Sequence, residues 1–217
     1  MIKAIFFDID DTLVQTIQCK WDAIKATAKK YYNLEITDEQ IKKYWGIPFQ
    51  PMLSGIFSEI DTYDAILKHY IETSKNFPMK AHSGATEAIN LLKKHYLIAA
   101  LTSSSKSLIF KDLQDAKFNL KDFYFIQTSE DTSFHKPDPK VFIPVEEKLE
   151  KKGIAPKDIV YVGDGLRDFT AAKKAGFHFI AVTTGLTSRE ELEKEGVKPA
   201  HIVDNLSKLP KMVKYWT

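Results

Sequence analysis

The sequence contains a single cysteine and no long apolar run, and both absences narrow the class of protein. Cys19 stands alone among 217 residues, so an internal disulfide and a cysteine-based zinc site are excluded. No apolar stretch approaches the ~20 residues of a membrane-spanning helix, and the N-terminus has the pattern of a strand rather than of a signal peptide. We therefore expect a cytoplasmic protein without a membrane partner.

Glycine and proline are also few, and neither positive nor negative charge is in large excess. Glycine and proline occur nine times each, which excludes a low-complexity chain. The content of 44% hydrophobic and 28% charged residues is typical of a globular protein. The net charge is only +2, with lysines spread along the chain, so no basic stripe indicates a nucleic acid partner.

What the sequence does contain is an apolar strand that ends in carboxylates. Residues 1–14 read MIKAIFFDIDDTLV, and the continuous apolar run at 5–7 is typical of a strand buried on both faces of a parallel sheet. Asp8 and Asp10 fall at the end of this strand, where open α/β sheets bind their ligands. The alternative is an ordinary turn, since aspartate is common in turns.

A block of helical periodicity follows this strand, from about Thr16 to about Asn76. Two apolar stripes repeat at helical spacing, the first formed by Trp21, Ile24, Ala28 and Tyr31 and the second by Tyr63, Ile66, Leu67, Tyr70 and Ile71. The block therefore predicts an inserted group of helices.

Within the block, one helix start and one break are well marked. Thr37 and Gln40 predict a capping box, and Ile36 with Ile41 can form a hydrophobic staple around it. The segment GIPFQP at 46–51 then interrupts the helical pattern.

From residue 83 onward, short apolar runs alternate with helix-length segments. The predicted strands are 97–101, 123–126, 159–162 and 179–182, and the predicted helices are 105–115, 140–152 and 167–175. Parallel strands joined by crossover helices give this alternation. We predict an α/β fold with a doubly wound, Rossmann-like parallel sheet. Its core spans 1–15 and 81–217, and residues 16–80 form a small all-α cap because they are too long for a simple connection.

Polar residues follow the later predicted strands. Thr102 and Ser103 come at a helix start, where hydroxyl and backbone N–H groups suit a phosphate, although an ordinary serine cap is the alternative. Lys136 precedes a proline that restricts its backbone, so it is either a phosphate-binding lysine or a solvated one. Asp164 and Asp168 lie in GDGLRD, and Asp168 could simply complement a helix dipole.

These strand ends would bring four carboxylates to one edge of the sheet. Two such charges 4 Å apart repel by about 4 kcal/mol at an effective dielectric near 20, so the cluster needs a cation. Oxygen ligands without cysteine or histidine indicate Mg²⁺. The candidate metal ligands are Asp8, Asp10, Asp164 and Asp168, and Lys136 would supply further positive charge.

The order of these elements resembles the haloacid dehalogenase superfamily. The elements are FFDIDDTLV, LTSSS, HKPDP and GDGLRD, and the resemblance extends over most of the chain. A helical insertion after the first motif is similar to the phosphoglycolate-phosphatase-like branch, in which a small cap closes over the active site. The resemblance implies a Mg²⁺-dependent phosphatase that acts on a small phosphorylated metabolite.

The resemblance also implies roles for individual residues. Asp8 would be the nucleophile that forms an aspartyl phosphate, and it would also bind the metal. Asp10 would be the general acid and base, with its backbone carbonyl on the metal. Asp164 would be a further metal ligand, and Asp168 would orient Lys136 or metal-bound water.

Four groups are implied to bind the substrate. Thr102, the backbone of Ser103 and Lys136 would hold the transferring phosphoryl group, while Thr12 would steady the loop by hydrogen bonding. Asp11 is assigned no catalytic role. Lys136 is thus implied both in binding and in catalysis.

Alternatives to a phosphatase remain open at this point. The same family includes 2-haloacid dehalogenases, which do not need the acid at Asp10, and β-phosphoglucomutases, whose usual EDSxAG differs from GDGLRD here. A catalytically silent phosphate-binding module on the same fold is a further alternative.

The cap should decide the substrate, since the core motifs contact only the phosphoryl group. The loop at 46–50 is the candidate that faces the site, with Phe49 and Gln50 available to contact a leaving group. Hinges are expected near Thr16 and at 80–83. Phosphoglycolate, pyrophosphate, a nucleotide and a sugar phosphate all stay open, as does a homodimer.

Overall fold

A six-stranded parallel sheet forms the centre of the protein. The computed structural model describes residues 1–58 and 60–214, with the strands β1 Ala4–Asp8, β2 Leu97–Leu101, β3 Phe125–Gln127, β4 Ile159–Gly163, β5 His178–Val182 and β6 Ile202–Val203. Their order across the sheet is β3-β2-β1-β4-β5-β6. Neighbouring strands run parallel. The predicted doubly wound α/β fold is therefore confirmed.

Strand β1 lies in the middle of this sheet. Phe6 pairs with Ala99 of β2 on one side and with Tyr161 of β4 on the other. Its side chain enters one hydrophobic cluster, whereas the side chains of Ile5 and Phe7 enter another. Burial on both faces explains the continuous apolar run, because no position of the strand faces water.

Four helices follow β1 and make up the inserted block. They are α1 Thr16–Tyr32, α2 Asp38–Lys42, α3 Phe49–Ile56 and α4 Tyr63–Ser74. Their apolar faces form a third hydrophobic cluster that includes Ile24, Leu53 and Ile66. The limits of the cap at 16 and 80 and of the core at 217 stay predictions, and residues 59 and 215–217 lie outside the described residues.

The local signals in the cap have mixed outcomes. The capping box is confirmed, since the backbone N–H of Gln40 donates to Thr37 Oγ1 at 3.3 Å and the N–H of Thr37 donates to Gln40 Oε1 at 2.8 Å. Ile36 and Ile41 are both buried in the cap cluster. The prediction for Ile71 is wrong, because this side chain is 41% exposed.

Six helices cover the sheet and complete the core. They are α5 Ala85–Leu92, α6 Lys106–Asp115, α7 Ile143–Glu150, α8 Leu166–Ala175, α9 Arg189–Lys194 and α10 Leu209–Val213. The predicted helix at 140–152 begins later, at Ile143, because a 3₁₀ turn at Pro139–Phe142 precedes it and Pro144 lies in its first turn. Strand β3 also begins at Phe125 rather than at Phe123, which follows a 3₁₀ turn. Strand β6 was not predicted, and it has only two residues.

The two connections between the cap and the sheet lie side by side. Val14 and Ala81 form an isolated antiparallel bridge. The N–H of Gln15 donates to Lys80 O at 2.8 Å, and the N–H of His82 donates to Leu13 O at 2.9 Å. The two connections between the cap and the sheet therefore run next to each other, at the place where the sequence predicts the hinges. Movement of the cap about this place stays a prediction.

No helix in the described part of the chain is long and apolar enough to span a membrane. A cytoplasmic location and the absence of a nucleic acid partner stay predictions.

Candidate active site

The predicted site residues meet at the carboxyl ends of the central strands. Asp8 is the last residue of β1, and Thr102 follows the last residue of β2. Asp164 directly follows β4, and Asp168 lies in the first turn of α8. Because these strands are adjacent and parallel, their ends bring residues more than 150 positions apart into contact.

Lys136 joins two of these carboxylates. Its Nζ lies 2.6 Å from Asp8 Oδ1 and 2.7 Å from Asp168 Oδ1, and its side chain is only 12% exposed. Arg167 fixes the backbone at this point, since its guanidinium donates to Lys136 O, from Nε at 2.9 Å and also from Nη2. Lys136 is therefore a buried, oriented cation and not a solvated surface lysine.

Asp168 is held from three directions. Besides Lys136, the hydroxyl of Tyr161 donates to its Oδ1 at 3.0 Å, and the N–H of Gly165 donates to its Oδ2 at 3.1 Å. The bond from Gly165 satisfies a backbone N–H at the start of α8, which agrees with a role of Asp168 at the helix start. The others place the same carboxylate in the site, so both interpretations of Asp168 hold together.

Asp8, Asp164 and Asp168 form a group suited to a metal ion. One oxygen of each lies within 4.8 Å of the others. The carboxylate of Asp164 accepts a hydrogen bond from Thr12 Oγ1 at 3.2 Å. It also packs against Gly185, where an added Cβ would lie 1.7 Å from Asp164 Oδ2.

The electrostatics of this group call for added positive charge. Burial raises the pKa of Asp8 well above its usual range, and Asp168 and Asp10 add to this effect against the pull of Lys136. Burial together with Asp168 and Asp8 likewise raises the pKa of Asp164. Three carboxylates beside one lysine leave two negative charges that a divalent cation would neutralise. The donors are all oxygens, so the group fits a hard divalent cation.

Asp10 points to a different set of partners. Its Oδ1 lies 2.5 Å from Nζ of Lys20, and its Oδ2 accepts from Thr102 Oγ1 at 2.7 Å. Burial would raise the pKa of Asp10, but Lys20 and the bond from Thr102 outweigh burial and lower it. The Asp10 side chain is not part of the carboxylate group formed by Asp8, Asp164 and Asp168, and its predicted place among the metal ligands is untested. A metal contact through its backbone carbonyl stays a prediction.

Asp11 has a structural role that the sequence pattern did not indicate. Its Oδ1 accepts from the backbone N–H groups of Thr16 at 3.0 Å and of Ile17 at 2.8 Å. The N-cap residue of α1, Gln15, makes no capping bond with its own side chain. Asp11 therefore caps the first helix of the inserted block from the loop after β1.

The predicted substrate-binding residues divide into two groups. A cavity of about 350 Å³ is lined by Ser103 and Lys136, together with Asp8 and Asp10. Thr12 is fully buried and Thr102 is 3% exposed, and their hydroxyls are already donated to Asp164 and Asp10. In this arrangement the two hydroxyls support the carboxylates, and substrate contacts by Thr12 and Thr102 stay predictions. Ser103 and Lys136 stay predicted substrate-binding residues.

Side chains from the inserted block complete the cavity. Trp45, Ile47 and Phe49 line it, and the ring of Phe49 also packs on Tyr70 at 5.3 Å between centroids. Gln50 is exposed and lies outside the lining, and its contact with a leaving group stays a prediction.

Three residues that the sequence reasoning missed are part of the site. Arg167 lies inside GDGLRD, and its position within a motif could have drawn attention to it. Lys20 precedes Ile24 and Ala28 by four and eight residues, so a lysine on the buried stripe of α1 was a readable signal. Tyr161 lies in the middle of a buried strand, and that pattern gave no indication of its hydroxyl bond to the site.

The sheet order and the acidic strand-end site define a doubly wound α/β protein with a helical insertion and a candidate metal site. A family profile described as haloacid dehalogenase-like hydrolase matches residues 5–182. The match covers most of the chain, so the protein belongs to this family and is an enzyme. The predicted resemblance is confirmed.

Individual relatives agree with this family over nearly their whole length. The chain is 28% identical over 98% of its length to a protein from Caldanaerobacter subterraneus subsp. tengcongensis, provisionally named pyrophosphatase PpaX, and covers 95% of it. It is 26% identical over 96% of its length to pyrophosphatase PpaX from Bacillus mycoides, with 95% of that protein covered. A solved structure from Thermotoga maritima, provisionally described as a β-phosphoglucomutase, matches with a TM-score of 0.78 at 22% identity over 99% of both chains. This last likeness concerns the fold alone.

Proposed function

We propose that this hydrolase is a Mg²⁺-dependent phosphatase that acts on a small phosphate compound through Asp8. Its membership of the hydrolase family and its pyrophosphatase-named relatives establish the coarser statement, an enzyme of the phosphatase type. The observation that carries the finer proposal is the contact of Lys136 with both Asp8 and Asp168, beside the carboxylate of Asp164.

The residues present would hold a magnesium ion together with water and substrate oxygens. Asp8, Asp164 and Asp168 would bind the ion, which would neutralise charge on the phosphate oxygens. Thr12 would keep Asp164 oriented from behind, as the neighbours of metal ligands commonly do.

The reaction would proceed as two displacements at phosphorus. In the first, a carboxylate oxygen of Asp8 bonds to phosphorus, the bond to the leaving oxygen breaks, and Asp10 gives that oxygen a proton. In the second, Asp10 takes a proton from water, the water oxygen bonds to phosphorus, and the bond to Asp8 breaks. Lys136 would compensate charge on the phosphoryl oxygens in both.

Among substrates, we favour inorganic pyrophosphate. The two relatives described above carry pyrophosphatase names over nearly the full length of this chain. The cavity also offers Arg167 and Lys42 in addition to Lys136, which suits a second phosphate group. Phosphoglycolate and sugar phosphates are the alternatives, since Trp45, Ile47 and Phe49 could pack against the C–H groups of an organic leaving group, which pyrophosphate lacks.

Phosphate release measured with and without Mg²⁺ tests the proposal. The purified protein should release phosphate from pyrophosphate and p-nitrophenyl phosphate, and EDTA should abolish this release. Asp8→Asn should lower kcat at least ~10³-fold, whereas Asp22→Asn, at a half-buried position of α1 outside the cavity lining, should leave it within about two-fold. No turnover, or equal turnover in Asp8→Asn, would refute the assignment.

Two further readouts separate the alternatives. Acid quenching during turnover should trap one phosphoryl group on Asp8, detected by mass spectrometry of the peptide. A mutase would instead convert a sugar phosphate to its isomer without net phosphate release, and a preference for phosphoglycolate over pyrophosphate would overturn only the choice of substrate.

A further inference from the structure

A buried lysine of the inserted helices contacts the predicted general acid. Lys20 lies on α1, and its side chain is 6% exposed. Its Nζ is 2.5 Å from Asp10 Oδ1 and 3.6 Å from Asp112 Oδ2, on helix α6 beside the sheet. A single cation of the cap therefore joins two acidic residues of the core.

Burying these charges is costly, and their geometry shows how the cost is offset. Burial alone would lower the pKa of Lys20, but the carboxylates of Asp10 and Asp112 outweigh it and raise that pKa. A lysine that is fully buried without a specific partner is rare. The ion pair thus holds both Lys20 and Asp10 in their charged forms, so what this contact can favour is the placement of the Asp10 carboxylate and not its protonation.

The two oxygens of Asp10 are held from opposite sides. Thr102, at the end of β2, donates to Oδ2 at 2.7 Å, and Lys20 reaches Oδ1 from the cap. Thr102 directly follows β2, and its N–H is bonded to Gln127 O of β3, so its position is set by the core and not by α1. The second restraint on this carboxylate exists only when α1 is seated as observed.

We propose that Lys20 is a positioning residue that fixes the Asp10 carboxylate for proton transfer when the inserted helices are seated over the site. The inference rests on the proposed phosphatase function and goes beyond it, because it assigns a cap residue to the protonation of the leaving group. Lys20 acts through Asp10, so its loss should weaken proton transfer more than substrate binding.

Leaving groups of different basicity distinguish this role from simple anchoring. A p-nitrophenolate leaves with little protonation, whereas an alkoxide needs a proton from Asp10 as its bond to phosphorus breaks. Lys20→Met keeps the apolar stem and removes the charge. It should lower kcat/KM for an alkyl phosphate at least ~10-fold more than for p-nitrophenyl phosphate, with KM changed less than about three-fold.

Matched variants complete the experiment. Lys20→Arg, which restores a cation, should recover most of the alkyl phosphate activity. Asp112→Asn removes the other carboxylate that Lys20 contacts and leaves Asp10 paired, so its ratio of alkyl to aryl kcat/KM should stay within about three-fold of the wild type. If Lys20→Met does not fold by circular dichroism, the double variant Lys20→Met with Asp112→Asn leaves one fewer carboxylate unpaired and makes the same comparison.

The outcomes are separable from those of the proposed function. If the wild type hydrolyses both substrates but Lys20→Met lowers both kcat/KM values equally, Lys20 only anchors the cap and the inference is wrong. If Lys20→Met and Asp112→Asn lose the same activity, the inference is also wrong. If the wild type hydrolyses neither substrate and Asp8→Asn changes nothing, the phosphatase proposal itself has failed.

Discussion

Replacing Asp11 should destabilise the start of helix α1 in a graded way. The carboxylate accepts hydrogen bonds from the N–H groups of Thr16 and Ile17, and Thr16 is fully buried. Asp11 also has a positive φ of 56°, a conformation that aspartate, asparagine and glycine tolerate better than alanine. Replacing Asp11 can therefore lower the stability in two ways, by removing the capping hydrogen bonds and by placing an unsuited residue at a positive φ.

The structure allows each term to be given a size. Loss of the capping bonds should cost about 2 kcal/mol, since two backbone donors lose a charged acceptor and one of them is buried. The positive φ should add about 1 kcal/mol for alanine but not for glycine. We expect about 3 kcal/mol for Asp11→Ala, about 2 kcal/mol for Asp11→Gly and less than 1 kcal/mol for Asp11→Asn, which keeps an acceptor oxygen.

Urea unfolding followed by tryptophan fluorescence is suited to this measurement. Two of the three tryptophans, Trp21 and Trp45, lie in the inserted block, where their rings are 5.7 Å apart between centroids. With an m-value near 2 kcal/mol/M, Asp11→Ala should lower the midpoint by about 1.5 M. Asp22→Ala, at a half-buried position of the same helix, is the control and should change it by less than about 0.3 M.

The ranking of the three variants by their loss of stability tests the two contributions separately. Equal effects of alanine and glycine would show that the positive φ carries no strain at this residue. A loss in Asp11→Asn as large as in Asp11→Ala would show that charge, rather than the hydrogen-bond acceptor, stabilises α1. No loss in any variant would contradict the capping role altogether.

Two further predictions concern other residues. Gly185→Ala would place a Cβ 1.7 Å from Asp164 Oδ2, so the Mg²⁺ concentration for half-maximal activity should rise at least ~10-fold with an unchanged circular dichroism spectrum. An unchanged Mg²⁺ dependence would contradict the place of Asp164 in the metal group. Burial lowers the pKa of His82 from 6.5 to about 4, so its contribution to stability is present above pH 6.5 and is lost as the pH falls toward 4, where the unfolded chain binds a proton and the folded chain does not. The full shift corresponds to ~3 kcal/mol, which partial exposure reduces to ~1.5 kcal/mol. His82→Gln should therefore lose about that much less stability than the wild type between pH 7 and pH 4.5 in urea titrations, and equal losses would refute the assignment.

The core of the site could be predicted because each of its residues carries a local signal. Asp8 and Asp164 each stand directly at the end of a continuous apolar run, and a parallel sheet brings such ends together whatever the distance along the chain. Lys136 was predicted only in the company of these acids, since one lysine among 31 basic residues is not informative alone. Sequence and topology thus suffice where the fold itself makes the contact.

The remainder depends on packing that no local pattern records. The partners of Lys20 are Asp10, in a loop, and Asp112, on a helix nearly a hundred residues away, and they meet only because the cap is seated on the core. In the sequence, Asp11 is only the third of three closely spaced aspartates. Its capping role can be recognised only when the start of α1 is known. Strand β6 has two residues, too few for a periodic signal.

The position of β1 has a consequence for the order of events during synthesis. Phe6 has strand neighbours on both sides only after Ala99 and Tyr161 have emerged from the ribosome, roughly 90 and 150 residues later. Helices α1 and α4 pack on one another through much shorter separations, and such local contacts form faster than distant ones. The newborn chain should therefore carry an organised helical block beside an unpaired apolar strand. The chain is therefore most prone to aggregate while this strand is still unpaired, and not while the helices form.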